Sequence, residues 1–234
     1  MQKILVIFVV FLTSIFSIQN HNTFAARSND HQIMFLSIGV NNKASPEYDD
    51  YAEENKLFEK HIENYSLYQV NKKTILGTNA TCKNCKEGFD WLIKNNDKNN
   101  LNLIYIGAHG NYVNNGGYYF CTFDGYFWGK EIAALIKKLN NVILIIDTCH
   151  SGAIIEDCLN CADSLIIAAC GKNEFAYSYN FTPQFKNAVR GGDYDANGLI
   201  DTEELIYYIS MNLTKQTLTC YGNNNKMNLM RSAS

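Results

Sequence analysis

Proline is almost missing from this chain. Pro46 and Pro183 are the only two in 234 residues, so no Pro-rich spacer divides it. Gly/Ser-rich linkers and internal repeats are missing too, which argues against a solenoid or a string of modules. Lys and Arg number 20 against 23 Asp and Glu, a formal charge of −3 with no basic cluster. That balance argues against nucleic acid or an anionic membrane as partner. One domain over 26–222, long enough for a full core, followed by a polar tail at 223–234, is the simplest organisation.

The N-terminus is the exception to this composition. Lys3 precedes an apolar run from Ile4 to Leu12, and small residues follow at Thr23, Ala25 and Ala26. This is the pattern of a signal peptide over 1–25. A membrane-spanning helix needs about 20 apolar residues, whereas this run is broken at Thr13 and Ser14 and is polar by Gln19. The expectation is a protein exported to the secretory pathway, the periplasm or the outside, free of membrane once the leader is cut.

The stretch around which the rest is arranged is N-V-I-L-I-I-D-T-C-H-S-G, from Asn141 to Gly152. Five apolar residues, Val142 to Ile146, read as a strand buried on both faces, and they stop abruptly at Asp147, Thr148 and Cys149. In open parallel sheets the carboxyl ends of strands border the ligand crevice. A second apolar strand, Leu101 to Ile106, opens into Gly107, Ala108, His109 and Gly110. If the two strands are parallel neighbours, His109 and Cys149 emerge at one edge of the sheet, an imidazole facing a thiol.

Other elements follow from periodicity. Strands are expected at Gln32 to Val40, within Tyr65 to Leu76, and at Leu165 to Ala169. Helices are expected over Ala52 to Ile62, with Leu57, Phe58 and Ile62 inward, from Thr81 to Ile93, and over Lys130 to Leu139. Tyr118 to Phe127 reads as a hairpin. Alternating strand and helix predict an α/β three-layer sandwich with a mainly parallel six-stranded sheet.

L-I-Y-I-G-A-H-G at 103–110, then I-I-D-T-C-H-S-G at 145–152, resembles the caspase-like cysteine peptidases, in particular their metacaspase and prokaryotic caspase-like branch. The likeness runs through nearly the whole mature chain, including I-I-A-A-C-G-K-N-E-F-A-Y-S at 166–178. It implies the caspase-like sandwich, Cys149 as nucleophile, His109 as general acid/base, and the backbone N–H groups of Gly110 and Cys149 as oxyanion hole. The remaining histidines fit poorly: His21 lies in the leader, His31 before the first strand, His61 on a helix, and His150 beside Cys149, where neighbouring side chains diverge.

True caspases carry Gln two residues before the nucleophile, and this chain has Asp147 there, as metacaspases do. The resemblance therefore implies a protein or peptide substrate cut after Arg or Lys, with Asp147 in the substrate-binding pocket; the alternative is that Asp147 caps the following turn. The second pocket acid of metacaspases has no clean match, since Lys172 holds the nearby slot and Glu174 follows. From Leu139 to Gly171 there is no Lys or Arg, so an enzyme specific for basic residues cannot cut itself there, and a single active chain is expected.

Asp193, Asp195, Asn197, Leu199 (through its carbonyl), Asp201 and Glu204 match positions one, three, five, seven, nine and twelve of an EF-hand calcium loop, with Gly198 at six. Calcium is the expected cofactor, no organic cofactor is indicated, and the competing reading is an Asp/Asn/Gly loop capping a helix from Thr202. The chain has 8 Cys. Cys170 reads as a buried thiol, while Cys82/Cys85 and Cys158/Cys161 form two C-x-x-C pairs, which an exported protein would use as disulfides and another context as a zinc site. Sequons at Asn64, Asn79, Asn180 and Asn212 are permissive only. The function expected is a secreted cysteine endopeptidase; a catalytically silent calcium-dependent binding module, or a peptide ligase using the same acyl-enzyme, are the alternatives.

Overall fold

The computed structural model describes residues 31–41, 51–222 and 227–233; the expected leader lies outside the described residues. In chain order the elements are β1 (Gln32–Gly39), α1 (Tyr51–Tyr65), β2 (Gln69–Leu76), α2 (Cys82–Lys94), β3 (Leu101–Gly107), β4 (Gly110–Val113), β5 (Gly117–Cys121), β6 (Tyr126–Trp128), α3 (Gly129–Ile136), β7 (Val142–Asp147), α4 (Ile154–Cys158), β8 (Ser164–Ala168), α5 (Phe181–Gly191), β9 (Leu199–Asp201), α6 (Thr202–Asn212), β10 (Thr219–Gly222) and β11 (Asn228–Arg231). Six strands form one sheet in the order β10-β8-β7-β3-β1-β2. Five are parallel, and only β10 runs antiparallel, against β8.

The central strands are buried on both faces, so their side chains alternate between two cores. On β7, Val142, Leu144 and Ile146 join Phe89, Leu92, Ile132 and Ile154, from α2, α3 and α4. Ile143 and Ile145 point the other way, to Phe58 of α1, Phe181 and Phe185 of α5, and Leu205 and Ile209 of α6. Three layers result, as expected. Each large apolar side chain buried this way contributes about 1.5–3 kcal/mol against exposure.

Helix α2 starts where expected: Thr81 Oγ1 accepts the Asn84 N–H at 3.2 Å, a standard N-cap. Helix α1 shows a different face from the one expected. Leu57 is 51% exposed, and the inward stripe carries Glu54, Asn55, Glu59 and His61 between Phe58 and Ile62. A stripe half made of polar residues is invisible to a rule that looks for apolar spacing.

Several segments hold more structure than expected. The hairpin is a three-stranded sheet, β4-β5-β6. The connection from Ala153 to Ser164 contains α4, whose Ile154 and Cys158 are buried. Helix α5 is an additional element; Pro183 falls in its first turn, where a missing N–H removes no helical bond. The segment read as a polar tail supplies β11, antiparallel to β9, with Met230 fully buried. All eight cysteines are free thiols in the structure, not disulfides, and Cys85, Cys158, Cys161 and Cys170 are buried. Among the described residues the two C-x-x-C pairs form no joint metal-ligating group.

His61 gives the fold a pH dependence. Its ring lies against Tyr65 and Phe185, and Nε2 is buried without a hydrogen-bond partner. Burial, helped by the Lys186 charge, lowers its pKa from 6.5 to about 4. Between those values the unfolded chain binds the proton and the folded one does not, so stability falls as pH drops through that window. The full loss is on the order of 3 kcal/mol. Urea unfolding at pH 7 and pH 4.5 should show most of it, and His61→Phe should reduce the difference; an unaltered difference would mean that other groups set the acid response.

Candidate active site

Cys149 stands two residues beyond β7, on a turn that the backbone makes unusually tight. His150 adopts a left-handed conformation (φ 58°), and its N–H donates to the Glu174 carbonyl at 2.8 Å. Gly152 lets the turn press on the loop after β8: a Cβ there would lie 2.7 Å from the Lys172 nitrogen. Ser151 Oγ accepts the Cys170 N–H at 3.0 Å, and Cys170 Sγ donates to the Thr148 carbonyl at 3.3 Å. A thiol held on a braced turn at a strand end is presented at a fixed position and stays half-exposed.

His109 arrives from the neighbouring strand. β3 and β7 are parallel and in register up to Gly107↔Asp147, so His109 and Cys149 both lie two residues past a paired position. After His109 the chain turns into β4, where Gly110 packs on the Thr148–Cys149 turn. A Cβ on Gly110 would meet Thr148 Oγ1 at 2.3 Å and the Cys149 carbonyl oxygen at 2.7 Å. The His109 carbonyl accepts the Cys121 N–H at 2.8 Å, and the His109 ring stands edge-on to Tyr51, with centroids 5.4 Å apart. His150, by contrast, is held away: its Nδ1 pairs with the Lys172 carbonyl at 2.9 Å, between the rings of Tyr112 and Phe175. His31 is bonded to Asn99 near the opposite end of the sheet.

Burial, and secondarily the Asp147 charge, push the Cys149 thiol up. The resting group is therefore a thiol, and attack on a carbonyl requires a base to remove its proton.

Asp147 points to the opposite side of the sheet from Thr148, among α1 and α5. It is 5% exposed and accepts the Tyr105 O–H at 3.1 Å, while Tyr105 also pairs with Thr182 Oγ1 at 2.8 Å. Burial, then the charge of Glu54, raise its pKa to about 8. The pocket carboxylate expected from the sequence is thus buried, and it holds its proton more tightly than a free aspartate does. Glu54, which sequence reading missed, is 2% exposed and accepts the Tyr179 N–H at 2.8 Å. Nothing in a helix beginning Y-A-E-E-N distinguishes a buried glutamate from a solvated one. Glu174 lies elsewhere: it accepts the N–H groups of Gly171 at 3.0 Å and Thr217 at 2.7 Å, which lower its pKa. Lys172 pairs with Glu156.

The acidic loop lies between α5 and α6. Ligand atoms of Asp193, Asp195 and Glu204 lie within 4.8 Å of one another, and positive φ angles at Ala196 and Gly198 curl the chain around them. Asp193, Asp195 and Glu204 accept N–H groups of the loop itself, and Asn197 and Asp201 are likewise engaged. Asn197 Oδ1 accepts the Leu199 N–H at 2.8 Å, and Asp201 caps α6 by accepting the Glu203 and Glu204 N–H groups at 2.8 and 2.9 Å. The helix cap is present, and the three carboxylates form a group that could hold a metal ion.

The contact between Gly110 and the Thr148–Cys149 turn is testable directly. Thr148 Oγ1 is already tied to the Tyr118 hydroxyl at 2.7 Å and cannot yield freely. Gly110→Ala should destabilise the protein by about 1–3 kcal/mol in urea; an unchanged midpoint would remove the close approach of the two turns.

No family model matches the chain, and no curated protein matches it. Among solved structures it is similar to the crystal structure of protein GSU0716 from Geobacter sulfurreducens, with a TM-score of 0.64 at 16% identity over 84% of this chain and 97% of that one. At that identity the likeness is one of fold, and it agrees with the helix-flanked six-stranded sheet.

Proposed function

We propose that the protein is an exported cysteine endopeptidase of caspase-like type, active as a single chain, that cuts proteins or peptides after a basic residue. The observation that carries this reading is the packing of Gly110 on the Thr148–Cys149 backbone, which sets the His109 turn against the nucleophile at the shared edge of β3 and β7. His109 takes the thiol proton as Cys149 Sγ bonds to the scissile carbonyl carbon. The resulting oxyanion accepts hydrogen bonds from the N–H groups of Gly110 and Cys149. As the C–N bond breaks, His109 passes its proton to the leaving amine, leaving a thioester. Water then attacks, His109 takes its proton and returns it to the departing sulfur, and a carboxylic acid is released. A basic side chain on the acyl part would be met by Asp147.

Replacing either member of the pair tests this. Purified mature protein, offered a peptide library, should cleave after basic residues, and Cys149→Ala or His109→Ala should lower kcat/KM by at least ~1,000-fold. Cleavage by Cys149→Ala at the wild-type rate would end the assignment, and cleavage only after uncharged residues would remove Asp147 from the pocket.

Calcium fits as a structural ion in the same proposal. Asp193, Asp195 and Glu204 would supply carboxylates and Leu199 its carbonyl, with Asn197 and Asp201 turning from their present bonds or binding through water. An ion bound only by the folded loop stabilises by mass action, about 2.7 kcal/mol at 100 times its Kd. Millimolar calcium should raise the melting temperature, and Glu204→Gln should lose most of that gain. A melting curve indifferent to calcium would leave the loop as a helix cap.

A further inference from the structure

The two C-x-x-C pairs fold into different surroundings. Cys158 ends α4, and the Cys161 N–H donates to its carbonyl at 2.9 Å. A turn of that kind holds its first and fourth residues within about 7 Å at Cα, which is the span a disulfide bridges. The two thiols also meet, Cys158 donating to the sulfur of Cys161. At the other pair, Cys82 Sγ is engaged with Thr122 Oγ1 at 3.0 Å and with the Tyr126 carbonyl at 3.4 Å, while Cys85 is fully buried in the core that contains Phe89.

A cavity of about 580 Å³ opens between the end of α4 and β10, lined by Cys161 with Leu159, Leu165, Ile206, Cys220 and Tyr221. A reagent in that cavity meets Cys161 and not Cys158, which has no exposed surface. Burial raises the pKa of both thiols, but at Cys161 the hydrogen bond from Cys158 and the Lys137 charge offset part of the rise. Cys161 is thus both the reachable sulfur and the readier thiolate of the two.

We propose that Cys158 and Cys161 are a redox-active pair, oxidised from the cavity by a low-molecular-weight disulfide, with Cys161 attacking first and Cys158 resolving. The Cys161 thiolate bonds to one sulfur of the reagent; the reagent's S–S bond breaks, one thiol leaves with the proton that Cys161 gave up, and a mixed disulfide stays on Cys161. Cys158 then loses its proton and attacks the Cys161 sulfur, and the second thiol departs. Two cysteine thiols have lost two electrons, and one external disulfide has become two thiols. Excess external thiol runs both steps backwards. The ring so closed spans only Cys158 to Cys161, so it constrains the unfolded chain less than a longer loop would, and the bond acts as a reversible one more than as a structural staple. The inference uses neither Cys149 nor His109 and stands apart from the peptidase reading.

Glutathione disulfide serves as the probe. Reduced protein is incubated with it over a series of glutathione ratios, quenched with acid, unfolded and alkylated, and its cysteines are mapped by fragmentation mass spectrometry. Because 139–171 holds no Lys or Arg, one tryptic peptide carries Cys149, Cys158, Cys161 and Cys170; a further cut after Glu156 parts Cys149 from the pair. Cys158 and Cys161 should lose alkylation together, with a mass lower by two hydrogens, and dithiothreitol should restore both, while Cys82 and Cys85 stay alkylated. Cys158→Ser should stall with glutathione on Cys161, and Cys161→Ser should leave Cys158 without an adduct. A Cys161–Cys220 bond in place of the pair, a Cys82–Cys85 bond formed at the same ratio, or glutathione on Cys158 in the Cys161→Ser protein would each overturn the proposal. So would two alkylated thiols at 158 and 161 under the most oxidising ratio. If the serine variants do not fold, the wild-type map decides.

Discussion

The parallel register of β3 on β7 is the constraint on which the site depends. Because Gly107 and Asp147 are paired, each strand delivers its next residues to the same edge, and alternation does the rest. Asp147 falls on the α1 and α5 side, Thr148 on the side of Tyr118, and Cys149 is left at the rim. A slip by one residue would exchange these faces and bury the thiol's neighbours in the wrong core. The apolar runs in β3 and β7 thus do more than stabilise the sheet; they fix the relative height of a histidine and a cysteine that are forty positions apart.

That rim carries polar groups which a sequence selected for stability alone would not bury. Asp147, Glu54 and Asn55 are almost without solvent, and one of their oxygens lacks a partner. Tyr105 is tied to Asp147 and Thr182 and has its own pKa raised by burial and the adjoining carboxyls. Such a network costs free energy unless every member is satisfied. All of it lies at one edge of the sheet, where β3 and β7 end.

Legibility from sequence follows burial symmetry. β3, β7 and β8 are buried on both faces and announce themselves as continuous apolar runs, and the turn that carries Cys149 is marked by the sudden change to D-T-C-H-S-G. α4, β10 and β11 are short or mixed in polarity, and their stability comes from what they pack against, which no local window contains; α5 differs, since Phe181, Phe185, Ala188 and Val189 recur at helical spacing and mark it in the sequence. Met230 illustrates this: in an Asn-rich segment it is a lone apolar residue, yet it is buried because β9 lies beside it. Glu54 is the most instructive omission. A carboxylate in the first turn of a helix is ordinarily read as solvated and favourable to the helix dipole, and only the tertiary structure turns it inward.

Strand β11 also answers why one acidic loop of EF-hand pattern can stand alone. Such loops hold their shape through a short strand at their seventh to ninth positions, here Leu199–Asp201, and a strand needs a partner. Here the partner is β11, through Met230↔Ile200 and Arg231↔Leu199, with the Ser232 N–H also donating to the Gly198 carbonyl at 2.9 Å. The same segment runs past α1, where Ser66 bridges to Met230, and α1 carries Glu54 and Asn55. The acidic loop and the C-terminal end of α1 are therefore braced by elements in direct contact, so the loop is held by the same layer that carries Phe58 and Ile62.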